Sequence, residues 1–151
     1  MAIISIFTDG SSRGNPGPGG FGVILKSGNL VKELSEGYKL TTNNRMELLA
    51  VIKGLEALKN PGSEVIIYSD SKYVIDPIEK KWLFGWEKKN FKDKKNPDLW
   101  IRFLTNYRKH SVKFSWVKGH AGHPENERCD ELAVMAATGK VLLDDKNYQS
   151  N

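Results

Sequence analysis

The chain has 151 residues, 39% of them apolar and 10% aromatic, with a formal net charge of +5. That is the size of one ordinary globular domain with material for a sizeable core, and a single cysteine, Cys129, excludes an intrachain disulfide and suits a reducing cytoplasm. No run approaches the roughly 20 apolar residues that span a bilayer, and Met1 to Phe7 carry no basic leader, so a soluble, unexported, cytoplasmic protein with no membrane partner is expected.

In chain order, Ile3 to Thr8 reads as a strand. Phe21 to Lys26 and Val31 to Tyr38 form a hairpin around Ser27-Gly28-Asn29. Helical periodicity runs from Arg45 to Lys59 and is stopped by Asn60-Pro61-Gly62; the apolar strand Val65 to Ser69 follows, then a helix over Lys72 to Lys80. After a basic segment, a helix over Pro97 to Lys109 leads to a fifth strand, Val112 to Val117, and a last helix, Pro124 to Thr138, ends at Gly139. No repeat, low-complexity tract or linker interrupts this order, so 1–151 is expected to be a single α/β domain with a basic protrusion at about 80–95 and a tail at about 140–151. Strands separated by helices favour a mixed sheet with helices on both faces.

The charge is concentrated. Residues 80–95 hold seven of the 23 basic residues (lysines 80, 81, 88, 89, 92, 94 and 95) and only two of the 18 acidic ones, Glu87 and Asp93, so the rest of the chain is balanced. Trp82, Phe84, Trp86 and Phe91 are interleaved with these lysines, a mixture that suits a nucleic-acid backbone. The alternative is a solvated amphipathic helix with Trp82 and Trp86, at i and i+4, facing the core. Both hold together if rings point inward and lysines outward.

Four carboxylates fall at strand ends or on helices: Asp9, Glu47, Asp70 and Asp130. Convergent carboxylates repel one another and are stable as anions only around hard cations such as Mg²⁺, which points to metal-dependent phosphate chemistry. If the strands carrying Asp9 and Asp70 are adjacent and parallel, both groups emerge on one sheet edge, where open α/β sheets bind ligands. Each also has an ordinary explanation. Asp9-Gly10 can be a turn, Asp70 a helix N-cap, Asn44 with Glu47 a capping box, and Asp130 part of a solvated face. Asp130, however, shares its face with the small residues Ala133 and Ala137 and with Asn126, which favours close approach to something.

The blocks Thr8-Asp9-Gly10-Ser11, Gly14-Asn15-Pro16-Gly17-Pro18-Gly19-Gly20, Thr41-Thr42-Asn43-Asn44-Arg45-Met46-Glu47-Leu48, Asp70-Ser71 and Val117-Lys118-Gly119-His120-Ala121-Gly122-His123-Pro124-Glu125-Asn126-Glu127-Arg128-Cys129-Asp130-Glu131-Leu132-Ala133 closely resemble bacterial type I ribonuclease H. The resemblance runs over nearly the whole chain, and its last block is highly specific. It implies the ribonuclease H-like fold, a five-stranded mixed sheet flanked by helices, and a monomeric endonuclease that cuts the RNA strand of an RNA/DNA hybrid.

By position, the resemblance places metal ligands at Asp9, Glu47, Asp70 and Asp130, and a loop histidine that assists turnover at His120. It implies two Mg²⁺ ions in the substrate-bound site, for which Mn²⁺ can substitute. About 3.5–4 Å apart, they would serve the attacking water and the leaving 3′-oxygen, giving 5′-phosphate and 3′-hydroxyl ends. Gly10, Ser11, Asn15, Thr42, Asn43, Asn44, Ser71 and Lys72 match positions at or beside the hybrid-binding surface. Short amide and hydroxyl groups suit a ribose 2′-OH or a phosphate oxygen. The segment carrying Trp82, Trp86, Lys88, Lys89, Lys92 and Lys95 matches a protrusion that grips the DNA strand. Two positions depart from the family pattern: Lys72 stands where glutamine is expected, and Ser69 where threonine is.

Other signals are weaker. Gly17-Pro18-Gly19-Gly20-Phe21-Gly22 fits a dinucleotide fingerprint formally but runs into a strand. His120 and His123 lack the further ligands of a zinc site, and Cys129 reads as a small buried helix residue rather than a nucleophile. The competing functions are a same-fold DNA nuclease and a catalytically silent nucleic-acid-binding module.

Overall fold

The computed structural model describes residues 3–118 and 123–148. Strands β1 (Ile4–Ser12), β2 (Gly17–Ser27) and β3 (Leu30–Thr41) are followed by α1 (Asn43–Glu56), β4 (Glu64–Ser69), α2 (Lys72–Glu79), α3 (Trp82–Lys88), α4 (Pro97–Tyr107), β5 (Ser111–Trp116) and α5 (Pro124–Ala137). The five-stranded sheet has the order β3-β2-β1-β4-β5. The first three strands are an antiparallel meander, whereas β4 and β5 join parallel to β1 and to each other. This is the mixed sheet expected from the sequence.

Alternation along the central strands separates two apolar layers. Ile6, Phe21, Val23 and Leu25 pack into the main core with Met46, Leu48, Ile52 and Leu55 of α1 and with Trp100, Phe103 and Leu104 of α4. Phe7 and Ile24, out of phase with them, meet Cys129 and Leu132 of α5 on the other face. The glycine-rich stretch has its reason here: a Cβ at Gly20 would come within 2.5 Å of the Ala133 carbonyl oxygen, and one at Gly22 would collide with that of Cys129. These glycines let α5 lie directly on β2, a packing role and not a nucleotide fingerprint.

Strands β1 to β4 run longer than the sequence expectation because pairing, not composition, sets their ends. β1 continues past Thr8, since Asp9 to Ser12 pair with Gly22 to Gly19 of β2; Asp9-Gly10 is therefore strand and not a turn. The α1 cap is Thr42, whose Oγ1 accepts the Arg45 N–H at 3.2 Å, so Asn44 and Glu47 form no capping box. In the basic segment the core position of α3 goes to Leu83, which is fully buried, while Trp82 is 47% exposed. Trp86 is half-buried and meets Trp100 edge-on with centroids 6.0 Å apart, so the inward-ring expectation holds for Trp86 and fails for Trp82.

One buried cation ties the elements together at the start of α1. Arg45, 2% exposed, donates from Nε and Nη2 to Asp145 (2.7 and 2.8 Å) and from Nη1 and Nη2 to Asp98 (3.0 and 2.7 Å), with a further bond from Nη1 to Asn96 Oδ1 at 3.1 Å. Asp145 also accepts from Thr41 Oγ1 at 2.7 Å. The fork of the guanidinium satisfies two carboxylates at once, joining β3, α1, α4 and the tail. Substituting Arg45→Met leaves two carboxylates facing each other without their cation. The expected loss is about 3–5 kcal/mol, read from chemical denaturation as a lower midpoint at unchanged slope.

Candidate active site

The parallel pairing of β1 with β4 ends at Phe7 opposite Tyr68, whose rings stack 4.7 Å apart. Two residues further along each strand stand Asp9 and Asp70, so the shared register delivers both carboxylates to one edge at one level. Glu47 arrives from the first turns of α1. A Cβ on Gly10 would overlap the Met46–Glu47 peptide, so only glycine lets α1 approach β1 this closely. The Gly10 N–H donates to Glu47 Oε1, which aims that carboxylate at the sheet edge.

Carboxylate oxygens of Asp9, Glu47 and Asp70 lie within 4.8 Å of one another. Asp9 and Glu47 are buried, at 5% and 6% exposure, and Asp70 is half-buried. They line a cavity of about 340 Å³ together with Gly10, Asn43, Ser71 and Asp130. Asp130 reaches it from α5 but stands outside the tight group of three. One turn earlier on that helix, Asn126 is 1% exposed, and neither of its amide atoms has a hydrogen-bond partner among the described residues.

The electrostatics of the cluster favour a cation. Burial, with the neighbouring charge of Asp9, a hydrogen bond with it and the charge of Asp70, pushes the Glu47 carboxyl well above the usual carboxylate range, against the opposing pull of the Gly10 N–H. Hard oxygen donors, clustered and partly desolvated, fit a hard divalent ion. Cys129, which packs with Phe7 and Ile24 and whose thiol donates to the Phe7 carbonyl at 3.2 Å, has its pKa raised by burial and is not a nucleophile.

The remaining candidates fall into two groups. At the cavity rim, Asn15 Oδ1 accepts the Asn43 N–H at 3.1 Å, which brings the loop after β1 against the start of α1, where Thr42 caps and Asn44 is exposed. Ser11 continues β1 beyond the cluster, and Lys72 begins α2. Elsewhere, a hollow of about 680 Å³ is lined by Trp82, Trp86, Lys89, Lys92 and Lys94, with Gly85 and Asp93. Lys80 and Lys94 sit over the Trp82 and Trp86 rings, 5.1 and 4.8 Å from their centroids. Lys88 and Lys95 are exposed but do not line the hollow. His120 lies outside the described residues. Sequence reasoning missed Trp116, whose indole N–H donates to the Asp70 carbonyl at 3.4 Å. Its position at the end of β5 was the available signal, as β5 parallels the strand that delivers Asp70.

The family profile described as RNase H matches residues 1–138. The chain belongs to the RNase H family. Curated relatives agree over nearly their whole length. Ribonuclease H of Trichodesmium erythraeum is 56% identical over 151 residues, covering 97% of this chain and 96% of that protein. Ribonuclease H of Pectobacterium carotovorum subsp. carotovorum is 54% identical over 152 residues, covering 97% of each. Among solved structures, LC9-RNase H1, a type 1 RNase H with the type 2 active-site motif, superposes with a TM-score of 0.83 at 32% identity, over 93% of this chain and 74% of that one. LC11-RNase H1, solved in complex with an RNA/DNA hybrid, gives a TM-score of 0.66 at 29% identity, over 89% and 96%.

The raised Glu47 pKa sets a sign for stability. The folded state favours the protonated acid, so its contribution is complete below the unfolded value near 4.5 and is lost as pH rises through the folded value. In metal-free buffer, Glu47→Gln, which keeps an acceptor for Gly10, therefore unfolds at a higher temperature than the unsubstituted chain. The gap widens as pH rises over that window and narrows when millimolar Mg²⁺ is added. Thermal melts at several pH values, with and without the ion, read this directly.

Proposed function

We propose that the chain is a monomeric, single-domain cytoplasmic endonuclease that hydrolyses the RNA strand of RNA/DNA hybrids using Mg²⁺, for which Mn²⁺ can substitute. The carrying observation is the group of three carboxylates within 4.8 Å at the sheet edge, in a chain of the RNase H family. No helix among the described residues is long and apolar enough to cross a membrane, in keeping with a soluble setting.

Asp9, Glu47, Asp70 and Asp130 would hold two divalent ions. Bound there, they would supply charge neutralisation at the scissile phosphate, an acidified water for attack and stabilisation of the leaving 3′-oxygen. The chain's own residues do the rest. Gly10 and the α1–β1 contact keep Glu47 aimed, so the donors need little reorganisation when substrate arrives. Asn15, Thr42, Asn43 and Asn44 present amides and a hydroxyl beside the cluster, where a 2′-OH distinguishes RNA from DNA. Trp82, Trp86, Lys88, Lys89, Lys92 and Lys95 offer cations and ring faces to the uncut strand. Water displaces the 3′-oxygen at phosphorus without a covalent enzyme intermediate, leaving a 5′-phosphate and a 3′-hydroxyl. His120 aids proton handling or product release as an auxiliary group.

Labelled hybrid and matched double-stranded DNA, each with and without Mg²⁺, separate this reading from its rivals. Metal-dependent cutting of the hybrid alone is expected; cutting of DNA instead identifies a same-fold DNA nuclease, and binding without cutting identifies a silent module. On the hybrid, Asp70→Asn removes a metal-held charge and abolishes turnover, whereas His120→Ala lowers multiple-turnover kcat strongly but keeps measurable single-turnover cutting.

Neutralising Lys88, Lys89, Lys92 and Lys95 together should weaken hybrid binding and flatten its salt dependence, by about 0.7–0.9 log-log units for each phosphate that a lysine no longer neutralises. An unchanged slope would reduce the segment to a solvated face.

A further inference from the structure

Lys72 occupies the first position of α2, where the unsatisfied N–H groups of a helix make a cation unfavourable, and the N-cap residue Ser71 makes no side-chain capping bond. Its ammonium nevertheless stands 4.1 Å from the centroid of the Trp116 ring, well inside cation–π range. Trp116 closes β5, where it pairs with Ser69 of β4 and is followed by a Val117 N–H that donates to the Ser69 carbonyl at 2.9 Å. Its indole N–H donates to the Asp70 carbonyl. The ring is thus tethered at its edge to the residue that supplies a cluster carboxylate, and its face carries the lysine.

Neither core packing nor helix stability accounts for this pair. Trp116 is 45% exposed, which leaves much of its apolar area in water, and the lysine opposes the helix dipole. A polyanionic ligand at the cavity rim accounts for both.

We infer that Lys72, seated on Trp116, binds a backbone phosphate of the cut strand next to the scissile one, and that Trp116 is the positioning residue for that ammonium. The inference rests on the hybrid-cleaving reading. Ser71, between Asp70 and Lys72, lines the acidic cavity, so a strand whose phosphate occupies that cavity brings a neighbouring phosphate to the rim. Seating the lysine on the ring restricts a long side chain before substrate arrives, so less conformational entropy is lost on binding. Held through the ring face, the ammonium still has donors to offer a phosphate oxygen.

The test uses an RNA/DNA hybrid duplex with the full chain, the Lys72→Gln, Trp116→Leu and Trp116→Phe variants, and the Lys72→Gln/Trp116→Leu double variant. Binding is measured against salt in the presence of chelator, and kinetics with Mg²⁺. Lys72→Gln and Trp116→Leu should each lower the log-log salt slope by somewhat under one unit, about 0.7–0.9, and raise KM several-fold with a smaller change in kcat. The double variant should be no worse than Lys72→Gln, and Trp116→Phe should restore most of the loss. Full-chain slopes in both single variants, a loss confined to one of them, or additive losses in the double variant would overturn the inference. If the unsubstituted chain fails to cut the hybrid, the functional reading itself falls; if it cuts and the variants match it, only the Lys72–Trp116 role falls.

Discussion

Parallel pairing between β1 and β4 is the constraint from which the site follows. A parallel ladder holds two strands in fixed register with both carboxyl ends at one edge, and here the ladder ends at Phe7 and Tyr68, two residues short of Asp9 and Asp70. A one-residue slip would turn one aspartate to the opposite face and dissolve the cluster. The stacked rings of Phe7 and Tyr68 and the surrounding apolar ladder of Ile4, Ile6, Val65 and Ile67 hold that register. Close approach of α1, permitted by Gly10, then adds Glu47, and α5, seated on Gly20 and Gly22, adds Asp130 to the wall.

Bringing these carboxylates together opposes folding, because burial and mutual repulsion disfavour their charged forms, as the raised Glu47 carboxyl shows. The nearest buried cation in sequence belongs to a different network. Arg45, two residues before Glu47, is sealed between Asp98 and Asp145, so its charge is consumed by the scaffold and does not neutralise the cluster. That separation leaves the carboxylates of the cluster available to metal while anchoring the start of α1. It also gives the tail a structural part, since Asp145 closes the Arg45 fork and Leu143 exchanges backbone hydrogen bonds with Gly37 and Lys39 of β3.

The basic segment follows a different logic. Leu83 and Phe91 are buried in the core, Phe84 and Trp86 pack partly against it, and five non-glycine residues from Lys81 to Asn96 adopt left-handed backbone conformations. Such conformations cost energy and persist where the surrounding structure holds them. Here they carry a hollow of rings and lysines out from the domain, next to α4 and apart from the residues that line the acidic cavity.

Much of this was legible in the sequence. Strand and helix order followed from periodicity and from stops such as Asn60-Pro61-Gly62, and the four carboxylates stood out together, since each alone had an ordinary explanation and only the last block was highly specific by itself. Cys129 was readable as buried from its helix face. Other features depended on partners distant in the chain. That Asp9 is strand and not turn was decided by Gly22 across the ladder; that Glu47 turns to the sheet edge was decided by Gly10, whose N–H it accepts. Trp82 faces outward because Leu83 fills the core position beneath α3. Trp116 acquires its place only when β5 lies beside β4. Local pattern determines which element a residue belongs to, because periodicity and turn chemistry act over a few residues. Which side chains meet is decided by sheet register and helix seating, which depend on residues far apart in sequence.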